Sequence, residues 1–319
     1  MRLSQPFFQL PVLFDVARLQ AEVAALPDQA WTAHPDRLPG NSAARLISAG
    51  GGETDSVHGQ MLPTPWLEAM PYLRQALAGF GVVWSRSRLM RLAPGAGVPE
   101  HADINYHWHT RVRVHIPIFT QPAVRFHCDG QAVHMAAGEA WIFDNWRRHH
   151  VENGASAPRI HLVADTTGTA AFWRFACGQA PPRAQWRTVA WDPANVSTLL
   201  TEGDQRSPVM PAAEVQWLID DLRAELTVAA DTADAHVAEA KARVMRFGLL
   251  LESFVLDWRQ LCALHGVGGR GRAEFLRLAG AVHQAARPLA DGLVMRTNTA
   301  SALLVLEKRV LQHLVADEG

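Results

Sequence analysis

Cysteine, charge imbalance and long apolar runs are all scarce in this sequence, and each scarcity argues against a class of protein. The three cysteines, Cys128, Cys177 and Cys262, are far apart and form no Cys-x-x-Cys pair. That argues against a disulfide framework and against a structural zinc site built on thiolates. Basic and acidic side chains nearly cancel, 30 against 31, for a net charge of −1. A general nucleic-acid or anionic-membrane surface needs an excess of Lys and Arg, so neither partner is expected. The apolar run near the N-terminus is interrupted by Asp15 and Arg18, and no small-residue cleavage site follows it. It reads as neither a signal peptide nor a membrane span. A reduced, cytoplasmic protein is expected.

What is present divides into two textures. With 319 residues, 48% of them hydrophobic, the chain is long enough to bury a sizeable core. Up to about residue 180 it is rich in Trp, His, Gly and Pro, with short apolar runs between turn residues. The residues from Arg111 to Ile118 alternate strictly: Val112, Val114, Ile116 and Ile118 share one face, and Arg111, Arg113 and His115 share the other. Segments 123–127 and 131–135 flank Cys128-Asp129-Gly130, a hairpin turn. Segments 140–143 and 159–165 read as further strands. Helices are expected over 15–26 and 65–80, the second opened by Pro65 and closed by Gly79 and Gly81. Several short strands joined by tight turns predict a sandwich or a double-stranded barrel. Helix-period apolar residues then fill 209–229, 233–262, 272–286 and 300–315, with 192–208 as a linker. The expected domains are 1–190, β-rich, and 205–319, helical, the latter offering a surface for a homodimer.

Histidines crowd the segment from 101 to 161. In His101-Ala102-Asp103, residues i and i+2 of an extended chain point to one side, so an imidazole and a carboxylate can converge on one ion. A third ligand must come from another strand, and His149 is the candidate. Two His and one carboxylate on one face of an octahedral metal leave three positions open, the arrangement that suits iron(II). Arg159 opens a strand ten residues past His149, and its planar fork suits the far carboxylate of a dicarboxylic acid. His115 and His161 face inward by alternation, and each also fits a core histidine satisfied by a hydrogen bond. His107, His109, His127 and His134 read as loop or surface residues.

An ordered series of motifs resembles the aspartyl/asparaginyl β-hydroxylase family of 2-oxoglutarate-dependent oxygenases, which includes bacterial free-proline hydroxylases. The motifs are Arg88-Leu-Met-Arg-Leu-Ala-Pro-Gly95, Pro99-Glu-His-Ala-Asp103, Arg111-Val-Arg-Val-His-Ile-Pro117, Gly138-Glu-Ala-Trp141, Phe143-Asp-Asn145, His149-His-Val-Glu-Asn153 and Arg159-Ile-His-Leu-Val163. The resemblance covers roughly residues 80–166. It implies an α+β fold, a double-stranded β-helix (jelly-roll, cupin-like) core with flanking helices, and the rest of the chain adds an all-helical C-terminal extension. It implies His101 and His149 as iron ligands, choosing His149 over His150 because the ligand stands two residues before Val151. It also implies Arg159 as the anchor of 2-oxoglutarate, assisted by Arg113 and His115. Animal members have Gly where Asp103 stands, and a Ser near the position of Met90. This chain instead is similar to the bacterial branch with a full triad.

The expected activity is hydroxylation of an unactivated C–H bond with iron(II), O₂ and 2-oxoglutarate, releasing succinate and CO₂. An amino acid, small peptide or protein side chain is the expected substrate, with Arg88, Asn105 and His107 as candidate contacts and Arg86 as another. The alternatives are a desaturase or epimerase on the same scaffold, a zinc hydrolase, and a non-catalytic jelly-roll that binds a small molecule or protein.

Overall fold

Two-residue periodicity organises most of the first 204 residues of the computed structural model, which describes residues 1–33, 37–176, 181–194, 198–204 and 206–316. The strands are β1 (Phe7–Phe14), β2 (Thr32–Ala33), β3 (Asn41–Ala49), β4 (Met61–Pro63), β5 (Val83–Leu92), β6 (Gly97–His101) and β7 (Val112–Phe119). There follow β8 (Val124–Cys128), β9 (Gln131–Val133), β10 (Glu139–Phe143), β11 (His149–Asn153), β12 (Arg159–Thr166), β13 (Arg187–Val189) and β14 (Leu200–Thr201). One sheet runs β13-β1-β10-β7-β12-β5-β3-β2, with β14 added to β5 and β4 to β3. A second sheet runs β6-β11-β8-β9. From β5 to β12 the chain distributes its strands between the two sheets, β5, β7, β10 and β12 in the larger and the other four in the smaller. That connectivity is a double-stranded β-helix, closed by two Greek-key turns of the chain.

The larger sheet has two unlike faces. Its outer face carries Leu89, Val112, Val114, Ile116, Ile118, Ala140, Ile142, Leu162 and Ala164. These pack with residues of helices α1 (Val16–Ala24), α2 (Pro65–Glu68) and α3 (Pro71–Ala78) in one core. A smaller cluster of Phe7, Leu92, Phe126, Cys128, Met135, Phe143 and Val151 draws on both sheets and fills the space between them. The hairpin β8–β9 turns on Asp129 and Gly130, both at positive φ (49° and 73°), with Cys128 paired to Gln131. Two residues of that geometry make the turn whose twist matches flanking strands. Gly138 is required by closeness: a Cβ there would lie 2.8 Å from the Phe14 carbonyl oxygen.

Several boundaries differ from expectation, each for a local reason. The helix expected over 65–80 is two helices, because Pro71 has no N–H to donate and disfavours helical backbone at Met70, found at φ −120°, ψ 75°. The expected linker is partly sheet, since Leu200 and Thr201 pair in parallel with Val83 and Trp84; its residues 195–197 and 205 lie outside the described ones. His107 is buried on the short helix α4 (Tyr106–Thr110), and His127 lies on a strand, β8, rather than in a loop.

The chain falls into two compact units: residues 1–101 with 110–204, and residues 102–109 with 205–319. Within the second, helices α6 (Ala212–Glu225), α7 (Asp234–His265) and α8 (Arg272–Leu289) bury Val215, Leu218, Leu222, Phe247, Leu251, Phe254, Trp258 and Phe275. Helix α5 (Ala170–Ala176) belongs to the first unit. The C-terminal region is helical and also contains a two-stranded sheet of β15 (Leu226–Val228) and β16 (Leu293–Met295). The segment 102–109 is tied into this unit by name: Tyr106 stacks on His313 at 5.0 Å and bonds Glu214, His109 lies 4.3 Å from Trp217, and buried Arg309 donates to the Ile104 carbonyl and, at 2.7 Å, to Asp221. Among the described residues no helix is long and apolar enough to cross a membrane.

Candidate active site

Strand pairing brings the first two chemical groups together. β6 ends at His101, β11 begins at His149, and the antiparallel register sets the two residues directly opposite. Their rings lie 4.2 Å apart, centre to centre. The Nδ1 atom of His101 bonds the Pro99 carbonyl at 2.8 Å, and that of His149 bonds the Arg147 carbonyl at 2.9 Å. A carbonyl only accepts, so each Nδ1 carries the proton and Nε2 is the ring atom of each that can serve as a metal ligand. Asp103 follows just past the end of β6, and ligand atoms of His101, Asp103 and His149 all lie within 4.8 Å of one another. His149 is buried against the Phe143 and Phe126 rings, whereas His101 is exposed. This donor set, two imidazoles and a carboxylate with one side toward solvent, fits a divalent iron ion that keeps open positions.

The same two phenylalanine rings lead to a second group of side chains. His115, on β7, lies edge-on to Phe126 at 5.3 Å and to Phe143 at 5.5 Å, and 5.9 Å from His161 on β12. β12 is central, flanked by β5 and β7, so its alternation sends Arg159, His161, Val163 and Asp165 to one face. Arg159 is 4% exposed, and its Nη2 contacts His161 Nδ1 at 2.8 Å. Burial pushes the Arg159 guanidinium down to about 9. Burial, and then the positive charge of Arg159, holds His115 and His161 unprotonated well below the ordinary histidine value. The Arg159 Nε, both ring nitrogens of His115 and the Nε2 of His161 are buried without a hydrogen-bond partner. Leaving such groups unmatched costs about 1–3 kcal/mol each, more for a charged one. A carboxylate entering this cradle would accept from the Arg159 Nε–H, the His161 Nε2–H and the one N–H of neutral His115, which is the fit test that 2-oxoglutarate passes here.

Not every sequence candidate joins that cradle. Arg113 is held by Asp165, whose Oδ1 accepts from its Nε at 3.1 Å while Oδ2 accepts from Arg86 at 3.2 Å. Arg88 pairs with Asp55 at 2.7 Å, and burial, followed by repulsion from Arg86, pushes its guanidinium down to about 10. Burial alone would raise the Asp55 carboxyl, but Arg45, Arg88 and Arg86 outweigh it and hold it below the usual range. Asn105 accepts from the Trp108 backbone at 3.4 Å, capping a turn, and buried His107 packs edge-on against the Trp108 ring. Both belong to the segment grouped with the helices. His161 is the residue that sequence reasoning undervalued. The usable signal is the spacing Arg159-x-His161, which on a strand puts the two side by side.

A two-sheet barrel with His-x-Asp at one strand end and His at the facing one is a double-stranded β-helix that groups three candidate metal donors. Residues 62–168 match the family model described as Aspartyl/Asparaginyl beta-hydroxylase, about a third of the chain. The chain is 28% identical over 167 residues to the L-proline cis-4-hydroxylase of Rhizobium meliloti (strain 1021). That match spans 50% of this chain and 60% of the relative, so under two thirds of the relative's length is covered. Among solved structures, it resembles a 2OG-Fe(II) oxygenase family oxidoreductase from Burkholderia pseudomallei (18% identity, TM-score 0.35, 48% of this chain and 77% of the other). It also resembles a cupin domain from Bordetella pertussis Tohama I (16% identity, TM-score 0.21, 25% and 79%). The fold assignment rests on the strand pairing rather than on these overlaps.

Proposed function

We propose that the protein is an Fe(II)- and 2-oxoglutarate-dependent dioxygenase that hydroxylates an unactivated C–H bond of an amino acid or small peptide. His101, Asp103 and His149 would hold the iron through two Nε2 atoms and a carboxylate oxygen. Arg159 and His115 would take the far carboxylate of 2-oxoglutarate, with Arg113 supplying further positive charge on the same strand face. Iron(II) with O₂ and 2-oxoglutarate supplies the oxidation, with succinate and CO₂ released. The protein's own part is positioning and the exclusion of water by the Phe126 and Phe143 rings. The observation that carries this reading is the buried, partly unmatched Arg159–His115–His161 group sharing the rings that support His149. A zinc hydrolase would have no use for it.

The relative's printed substrate, L-proline, supports a small amino acid here. Arg88, Asn105 and His107 are proposed substrate contacts. The reading also includes an oxygenase domain over 1–190, a helical domain over 205–319, a cytoplasmic setting and a homodimer through the C-terminal helices. Exposed Met245, Leu249, Leu256 and Leu264 on α7 support the last. The test is incubation of the full chain with iron(II), ascorbate, 2-oxoglutarate and a panel of amino acids and small peptides, following succinate and the gain of one oxygen atom by mass. Iron-dependent succinate with a matching product is expected. A protein that takes up no iron and turns over no 2-oxoglutarate would instead be a binding module.

A further inference from the structure

Behind the proposed iron ligands, on the solvent side of the smaller sheet, is a second set of metal donors. His149 points into the barrel, so the next residue of β11, His150, points out. The register places His150 directly opposite His127 of β8. Their rings stack with centres 4.1 Å apart and planes within 8° of parallel. Glu152, two residues along β11, shares their face, and its two carboxylate oxygens lie 3.7 Å from His127 Nε2 and 3.7 Å from His150 Nε2. Ligand atoms of all three lie within 4.8 Å of one another. The Nε2 of His127 is shielded from water and has no hydrogen-bond partner. Arg125, opposite Glu152 in the register, directs its guanidinium to the Ala132 carbonyl at 3.2 Å. Its partner is therefore that carbonyl and not the Glu152 carboxylate.

We propose that His127, His150 and Glu152 form a second metal site, selective for zinc(II) or a similar borderline divalent ion. Two imidazoles and one carboxylate are a three-ligand zinc set with the fourth position left to water. Zinc bonds of about 2.1 Å in tetrahedral geometry hold donor atoms roughly 3.4 Å apart. To reach that, the donors must close from their present spacing, within 4.8 Å, and the two stacked rings must tilt so that their Nε2 lone pairs converge. The two strands fix the donors before any ion arrives, and the orphaned His127 nitrogen gains the partner it lacks. An ion there clamps β8 to β11 at the strand that also carries His149. The site stands apart from His101, Asp103 and His149, and the inference holds whether or not those three carry iron.

The test is zinc loading of the full-length chain at equilibrium in micromolar free zinc(II), after chelator stripping, counted as metal per chain. His127→Ala and Glu152→Gln should each bind one equivalent less than the wild type. His101→Ala should keep the equivalent that those two lose, and His101→Ala/His127→Ala should not. Far-UV circular dichroism identifies any variant that fails to fold, and the two independent ligand changes guard against that outcome. Cobalt(II) should add a second visible band to the wild type that is missing in His127→Ala. Equal loading of wild type, His127→Ala and Glu152→Gln would overturn the inference and mark the cluster as a plain surface pairing. If loading is instead lost in His101→Ala alone, only the proposed iron site binds metal.

Discussion

The two faces of the larger sheet do opposite work with the same strands. On β12, Leu162 and Ala164 point outward into an apolar core shared with the helices, while Arg159, His161 and Asp165 point inward among unmatched or paired charges. The outer face gains stability from area removed from water, at about 25 cal/mol per Å². The inner face spends stability, since it buries a guanidinium and two imidazoles with bonds left over. Such a sheet can tolerate unmatched polar groups on one face because the other one secures the fold.

Four expectations would break or sharpen that contrast. The largest belongs to the inner side: His149→Ala should lower iron-dependent 2-oxoglutarate turnover by more than about 100-fold, the loss that even a ligand's supporting partners can cause. Melting measured beside it should change far less than activity. On the outer side, Leu162→Ala, at a position 1% exposed, should cost about 2–5 kcal/mol in urea unfolding and leave the half-saturation for 2-oxoglutarate unchanged. A parallel shift in both quantities would show that the faces are not separable. Arg159→Gln should weaken 2-oxoglutarate binding by roughly 10- to 100-fold, the worth of about 1.5–3 kcal/mol for a charged hydrogen bond, with stability kept or raised. Calorimetric titration of the co-substrate reads it directly.

The smallest effect is in pH. His161 titrates well below its ordinary 6.5 when folded, because burial and then Arg159 oppose its charge. Above about pH 6.5 neither folded nor unfolded chain protonates it, so it contributes no slope. Below that pH the unfolded chain takes a proton that the folded one refuses, and stability falls by up to about 1.4 kcal/mol per pH unit for this one group. Urea midpoints at pH 7.5 and 5.5 should show the loss, and His161→Phe should shrink it. An unchanged difference would mean that His161 is not held neutral.

How much of this was legible in the sequence depends on the range of the interactions. The alternation from Val112 to Ile118 and the Asp129-Gly130 turn are local, and the strands and hairpin stand where those signals fall. The facing of His101 and His149 depends on pairing across 48 residues, which a spacing rule proposes and only the register measures. Met70–Pro71 shows a local signal overridden in the reading: apolar periodicity hid a proline stop. His161 was undervalued because alternation treats a ligand-facing and a core histidine alike. The commitment of Arg113 to Asp165 is a tertiary choice that no strand pattern contains. Least legible was the grouping of residues 102–109 with the helices, since Tyr106 and His313 stand more than two hundred positions apart.

That last grouping bears on how the gene can be divided. The chain crosses from one compact unit to the other three times, after His101, before Thr110 and after Asp204. A fragment ending at residue 204 would strip Tyr106 of its ring partner, His109 of the Trp217 indole and Ile104 of the Arg309 bond. The eight residues immediately behind the His101 imidazole would then be wetted and loosened. No single cut in the chain therefore separates the two units.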